Sequence, residues 1–122
     1  MEWPVWGARV VLVAVAITAL TACGRENGEQ RAAAGQEVYV RECARCHMTD
    51  GSGVARVYPN LAGNPIVRLD SPEPVIDIVL HGREAMPAFE AQIPTQKVAA
   101  VITYIRGAWG NRAGPVTPAM AK

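Results

Sequence analysis

Cys43-Ala44-Arg45-Cys46-His47 is the stretch on which the reading of this chain turns. Two thiols stand two residues apart, and an imidazole follows at once. At the end of a helix, thiols at this spacing reach the same edge of one flat ring system, and the next side chain lies beneath its centre. A thioredoxin-like dithiol needs a strand before it and a βαβ setting. Here the run from Gly35 to Glu42 reads as helix instead. A structural zinc site needs four ligands at suitable spacing. Cys43, Cys46 and His47 cannot sit comfortably on one tetrahedral ion, and His81 is the only other histidine.

C-x-x-C-H is instead the attachment pattern of c-type haem. Cys43 and Cys46 would each take one vinyl group of the porphyrin, and His47 would supply a nitrogen to its iron. Haem c is attached outside the cytoplasm, so this reading expects an export signal upstream.

Residues Val10 to Ala22 form an apolar run of 13 residues without a charge, preceded by Arg9. A membrane-spanning helix needs roughly 20 apolar residues, whereas 13 suits the apolar region of an export signal. The run ends Leu20-Thr21-Ala22-Cys23-Gly24, which resembles the bacterial lipoprotein signal. That resemblance implies removal of residues 1–22 and lipidation of Cys23, with several acyl chains giving firm anchoring. An ordinary cleaved signal or an uncleaved anchor are the alternatives. The expected location is the periplasmic or outer-surface side of a bacterial membrane. On this reading all three cysteines are used covalently and none forms a disulfide.

Residues 23–34 are polar, without apolar periodicity, and read as a flexible tether. Residues 35–110 read as the folded domain. Residues 111–122 hold two prolines, one glycine and three alanines, and read as a loose tail. Net charge is +1, with both signs interspersed. This argues against a nucleic-acid partner and for only modest electrostatic steering.

The domain reads as all-α. Ser71-Pro72-Glu73 has the form of a helix start. Val75, Ile76, Val79 and Leu80 follow as an apolar stripe, and Gly82 ends it. Thr95 is expected to cap a last helix, on which Val98, Val101, Ile102, Ile105 and Trp109 keep helical spacing.

Several separated motifs together resemble the class I cytochrome c family. They are the haem pattern, Gly35-x-x-x-Tyr39-x-x-x-Cys43, the loop Pro59-Asn60-Leu61-Ala62-Gly63-Asn64-Pro65, and Met86-Pro87-Ala88-Phe89, which is similar to the family's M-P-x-F. The resemblance implies a class I fold, with helices wrapped round one covalently attached haem. It implies that the first helix packs on the last, with Val101 and Tyr104 as partners. It also implies a methionine as second iron ligand. Met1 goes with the signal, Met48 adjoins His47 and Met120 lies in the tail, which leaves Met86, 39 residues after His47. Pro87 biases Met86 away from helical geometry. Met86 as mere core filling, or His81 as the ligand, are the competing readings.

In the family a loop proline carbonyl accepts a hydrogen bond from the proximal histidine, and Pro59 matches. Leu61 is expected against the porphyrin. Tyr39, Tyr104 and Trp109 are expected near the haem or its propionates, and Arg83 and Arg106 are candidate partners for the propionates.

A more specific likeness is to the haem domains in cytochrome subunits of membrane-bound quinoprotein alcohol and gluconate dehydrogenases. It is carried by Tyr58 to Pro65, Leu80-His81-Gly82, Met86 to Phe89 and Tyr104 to Asn111. Those subunits hold three haems, whereas this chain has one C-x-x-C-H. The implied function is one-electron relay between a dehydrogenase or respiratory complex and a terminal acceptor such as an oxidase, not enzymatic turnover. A redox or gas sensor, or a small peroxidase-like subunit, are the alternatives.

Overall fold

The computed structural model describes residues 27–122. The signal segment and Cys23 lie outside them. Helix α1 occupies residues 27–47, α2 Glu73–His81 and α3 Thr95–Gly107. Among the described residues there is no strand, only the isolated bridges Val54–Tyr58 and Arg83–Met86. None of these helices is long and apolar enough to cross a membrane.

α1 begins eight residues before the expected domain boundary, so residues 27–34 are helical rather than an irregular tether. Arg31-Ala32-Ala33-Ala34 are good helix formers, and they extend a helix whose later turns are fixed by packing. The middle of α1 widens into a π-turn over Tyr39–Cys43, closed by the Ala44 N–H donating to the Tyr39 carbonyl. The last turn, Ala44–His47, carries the second thiol and the imidazole.

α1 meets α3 backbone to backbone. A Cβ on Gly35 would lie 1.9 Å from the Ala100 carbonyl oxygen and 2.9 Å from the Tyr104 Cβ. Only glycine permits that approach. One turn later Tyr39, fully buried, sets its ring 5.4 Å from that of Tyr104 and 5.0 Å from that of Trp109. Tyr104 is therefore the partner on the last helix. Val101 is buried in the same core as Tyr39 and also lines a cavity described below.

Two helix starts differ from expectation. Pro72, not Ser71, is the N-cap of α2, with no side-chain cap bond; Pro72 already has helical dihedrals, and its carbonyl accepts from the Ile76 N–H at 3.0 Å. Likewise Pro94 precedes α3, and its carbonyl accepts from Lys97 and Val98. Thr95 is thus the first helical residue and not the cap. In both cases proline fixes φ near the helical value, so the backbone turns without a side-chain acceptor.

The apolar stripes of α2 and α3 bury Val75, Ile76, Val79, Leu80, Val98, Val101, Ile102 and Ile105 in one core. Residues 111–122 do not hang loose. Val116 is wholly buried, and its N–H and carbonyl both bond the Thr103 hydroxyl, at 2.9 and 3.1 Å. The prolines and alanines of this segment gave no helical period. Its order comes from covering α3, which local composition does not reveal.

Candidate haem site

Between the end of α1, the loop 56–67, α2 and the loop 83–93 lies a cavity of about 750 Å³. Cofactor pockets run from roughly 300 to 1,000 Å³. Cys43, Cys46 and His47 line one side. Met86 lines it too, together with Val67, Val75, Val79, Phe89, Val101 and Ile105 from the core. The helix that begins at residue 27 and the loop that follows α2 thus bring the two expected ligands to one space.

His47 is buried, and its Nδ1 lies 2.8 Å from the Pro59 carbonyl oxygen. A carbonyl can only accept, so Nδ1 donates in this bond, and among the described residues no hydrogen bond engages Nε2. The loop that presents Pro59 is itself tied back. The Gly53 N–H donates to the His47 carbonyl at 3.0 Å, and Leu61 and Ala62 N–H both donate to the Gly51 carbonyl. Leu61 lines the cavity.

Met86 sits in a tight turn. Its N–H donates to the Arg83 carbonyl at 2.8 Å, and its carbonyl accepts from the Arg83 N–H at 3.1 Å. Gly82 enters that turn at φ +77°, where a Cβ would stand 2.5 Å from the Met86 carbonyl oxygen. Glu84 also has a positive φ, +52°. Phe89, buried, closes the turn by donating its N–H to the Val79 carbonyl.

The thiols of Cys43 and Cys46 are not joined in a disulfide. Burial pushes the Cys43 thiol up to about 12, and the Glu42 carboxylate and Cys46 add to the rise. The folded chain therefore presents a protonated thiol at this edge. An apolar cavity of cofactor size, two unpaired thiols, an imidazole with an unengaged Nε2 and a thioether fit a covalently held haem.

Four expectations about neighbouring residues are corrected. Tyr39 and Tyr104 do not line the cavity. They face each other and Trp109 in an aromatic cluster behind α1, with the Tyr39 hydroxyl donating to the Met48 carbonyl at 2.6 Å. Their helical spacing predicts a shared face but not which side of α1 the ring system occupies. Trp109 joins that cluster and not the cavity wall. Arg106 is not at the cavity either. It is 1% exposed, and its guanidinium donates to the carbonyls of Gly114, Val67 and Asp70 at 2.8, 3.0 and 3.2 Å. Such bonds from a charged group contribute ~1.5–3 kcal/mol each, enough to offset a burial cost of several kcal/mol per ion. Arg83 does line the cavity and stays exposed. His81 points to solvent and donates to the Asp77 carboxylate at 2.9 Å, a surface pair at helical spacing.

The family model described as cytochrome C oxidase, cbb3-type, subunit III matches residues 30–105. The chain belongs to the cytochrome c family. As a class I cytochrome c it carries haem c, held covalently, with its iron. The cytochrome is 39% identical over 105 residues to the cytochrome c subunit of alcohol dehydrogenase (quinone) from Gluconacetobacter polyoxogenes, covering 76% of this chain and 22% of that subunit. It is 40% identical over 92 residues to the gluconate 2-dehydrogenase cytochrome c subunit of Pantoea cypripedii, covering 65% and 21%. It is 30% identical over 92 residues to cytochrome c-552 of Thermus thermophilus, covering 63% and 69%. The cytochrome thus spans about a fifth of the length of the dehydrogenase subunits and most of the length of the small cytochrome.

Sequence reasoning missed one residue that the structure brings to this region. Asn111 was assigned to the tail, yet it is 2% exposed and bonded to the loop that follows Pro59. Its only sequence signal was a place at the end of the Tyr104–Asn111 stretch shared with the dehydrogenase subunits.

Proposed function

We propose that this cytochrome is a one-electron carrier in which Cys43 and Cys46 hold the haem, and His47 and Met86 are the two axial ligands of its iron. The observation that carries the reading is the meeting, in one apolar cavity, of a His47 ring whose Nε2 is left free and the Met86 turn.

When bound, haem c supplies an iron that gains and loses a single electron. The remaining work falls to the chain. Pro59 fixes the His47 tautomer and ring orientation, which strengthens the imidazole as a donor. Met86 would hold the iron through its thioether sulfur, a ligand that favours the reduced state relative to a second imidazole. Val75, Val79, Phe89, Val101 and Ile105 exclude water, which disfavours the extra positive charge of the oxidised state. Held by both His47 and Met86, the iron would offer no position to a substrate, and relay rather than turnover would follow.

The partner reading rests on the relatives that are named as subunits of alcohol and gluconate dehydrogenases. A dehydrogenase or respiratory complex would deliver electrons, and an oxidase or another carrier would accept them. Cys23, at the end of an export-type segment, would hold the cytochrome by lipid on the outer face of a bacterial membrane. Potentiometric titration and carbon monoxide binding test the proposal. A single one-electron wave, and a reduced protein that resists carbon monoxide at neutral pH, are expected. Ready carbon monoxide binding would move the function to gas or redox sensing, and peroxide turnover by the isolated protein would make it an enzyme.

A further inference from the structure

The segment after α3 returns to the loop that supports His47. Asn111 reaches that loop with its whole side chain. Its amide nitrogen donates to the Leu61 carbonyl at 3.0 Å and to the Ile105 carbonyl at 2.9 Å, while its Oδ1 accepts from the Gly63 N–H at 2.9 Å. Both amide protons and one acceptor site are used, in a side chain that is 2% exposed. One bond fastens Asn111 to the end of α3, and the other two grip the loop two and four residues beyond Pro59.

Leu61 is also held from the other side, by its N–H donating to the Gly51 carbonyl at 2.7 Å. Pro59 therefore stands in a loop whose following residues cannot drift without breaking buried bonds. Leaving those buried partners unpaired is costly, because nothing else in the loop can satisfy them. Pro59 in turn bears the carbonyl that receives the His47 Nδ1 proton.

We infer that Asn111 is a positioning residue for the iron ligand. It clamps the Leu61–Gly63 backbone to the end of α3 and so keeps the Pro59 carbonyl aimed at His47. The inference rests on the proposed ligation by His47. It extends that reading by making the C-terminal segment a determinant of the haem potential. A loosened loop lengthens the bond from His47, weakens the imidazole as a donor and makes the oxidised iron less favoured.

Thr103 is the natural control. It anchors the same C-terminal segment through Val116, is also buried, and its hydroxyl bonds only Ala99 and Val116, not the loop 51–64. The test compares haem-loaded Asn111→Ala, Asn111→Ser and Thr103→Val with the parent. Two readouts are followed well below the melting temperature: the midpoint potential, and the solvent exchange of the His47 Nδ1 proton by NMR. Both Asn111 variants should raise the potential and speed the exchange at least tenfold, with Asn111→Ser, which keeps one donor and one acceptor, less affected. Thr103→Val should lower thermal stability and leave both readouts at the parent values. The inference is overturned if the Asn111 variants lose stability alone, or if Thr103→Val moves the potential as far as they do. It is likewise overturned if neither Asn111 variant accumulates with haem while Thr103→Val does so with a shifted potential. A parent protein whose iron lacks histidine ligation would overturn the proposed function instead.

Discussion

The two walls of the haem cavity are built differently. The His47 wall is the end of a long helix followed by a loop tied down by backbone bonds, by the Tyr39 hydroxyl on Met48 and by Asn111 on Leu61 and Gly63. The Met86 wall is one short turn between α2 and Phe89. Arg83, Glu84, Ala85, Pro87 and Ala88 are all exposed there, and two positions have positive φ. One wall is held by buried side chains that reach it from elsewhere in the fold, and the other by a local turn closed by backbone bonds, a glycine and the buried Phe89. The difference teaches that the two walls need not be equally firm. The histidine side is set by the fold as a whole, whereas the methionine side depends on local turn chemistry.

Removing what separates the walls has the largest expected effect. Cys43→Ser with Cys46→Ser prevents thioether formation, and the apolar side chains around a cavity of about 750 Å³ then lose their common partner. A domain of this size buries little core by itself. Far-UV circular dichroism of this variant should show most of the helical signal lost, and a cooperative, parent-like melt would contradict that. Next comes the weaker wall. Gly82→Ala places a Cβ against the Met86 carbonyl at a positive φ, a strain of about 1–3 kcal/mol. Denaturant unfolding should show that loss, and carbon monoxide should gain access to the reduced iron sooner than in the parent, while the His47 Nδ1 exchange rate stays unchanged.

The firm wall has a smaller, pH-dependent signature. Burial above all, and then Cys43, Tyr104 and Asp50, push the Tyr39 hydroxyl above its ordinary value of 10.0. With haem attached, Cys43 no longer ionises and burial remains the main cause. The folded state therefore keeps a proton that the unfolded state gives up. Stability from this group is complete below about pH 10 and falls as pH rises beyond it. Tyr39→Phe should cost about 1 kcal/mol at neutral pH through the lost bond to Met48. It should also flatten the decline in unfolding midpoint above about pH 10. An unchanged alkaline slope would show that another group controls it.

What could be read from the sequence was local. The Cys43–His47 spacing defines one edge of a cofactor site within a single turn of helix, and Pro87 marks Met86 as non-helical within two residues. The α2 and α3 stripes are carried by short periods, and their burial follows. What could not be read was set by chain returning from far away. Arg106 looked like a surface cation near a propionate because only the folded loop supplies three carbonyls to it. Tyr39 and Tyr104 share a face, but which side of α1 meets the haem depends on the crossing at Gly35. The π-turn has no residue signature, and residues 111–122 owe their order to Thr103, Arg106 and the core beneath them.

The long-wavelength absorption band of ferric haem with a methionine sulfur ligand tests the central claim most directly. Protein matured with haem attached should show the band, and Met86→Ala should abolish it while leaving the haem covalently bound. A parent protein without the band, or a Met86→Ala variant that keeps it, would contradict an iron held between His47 and Met86.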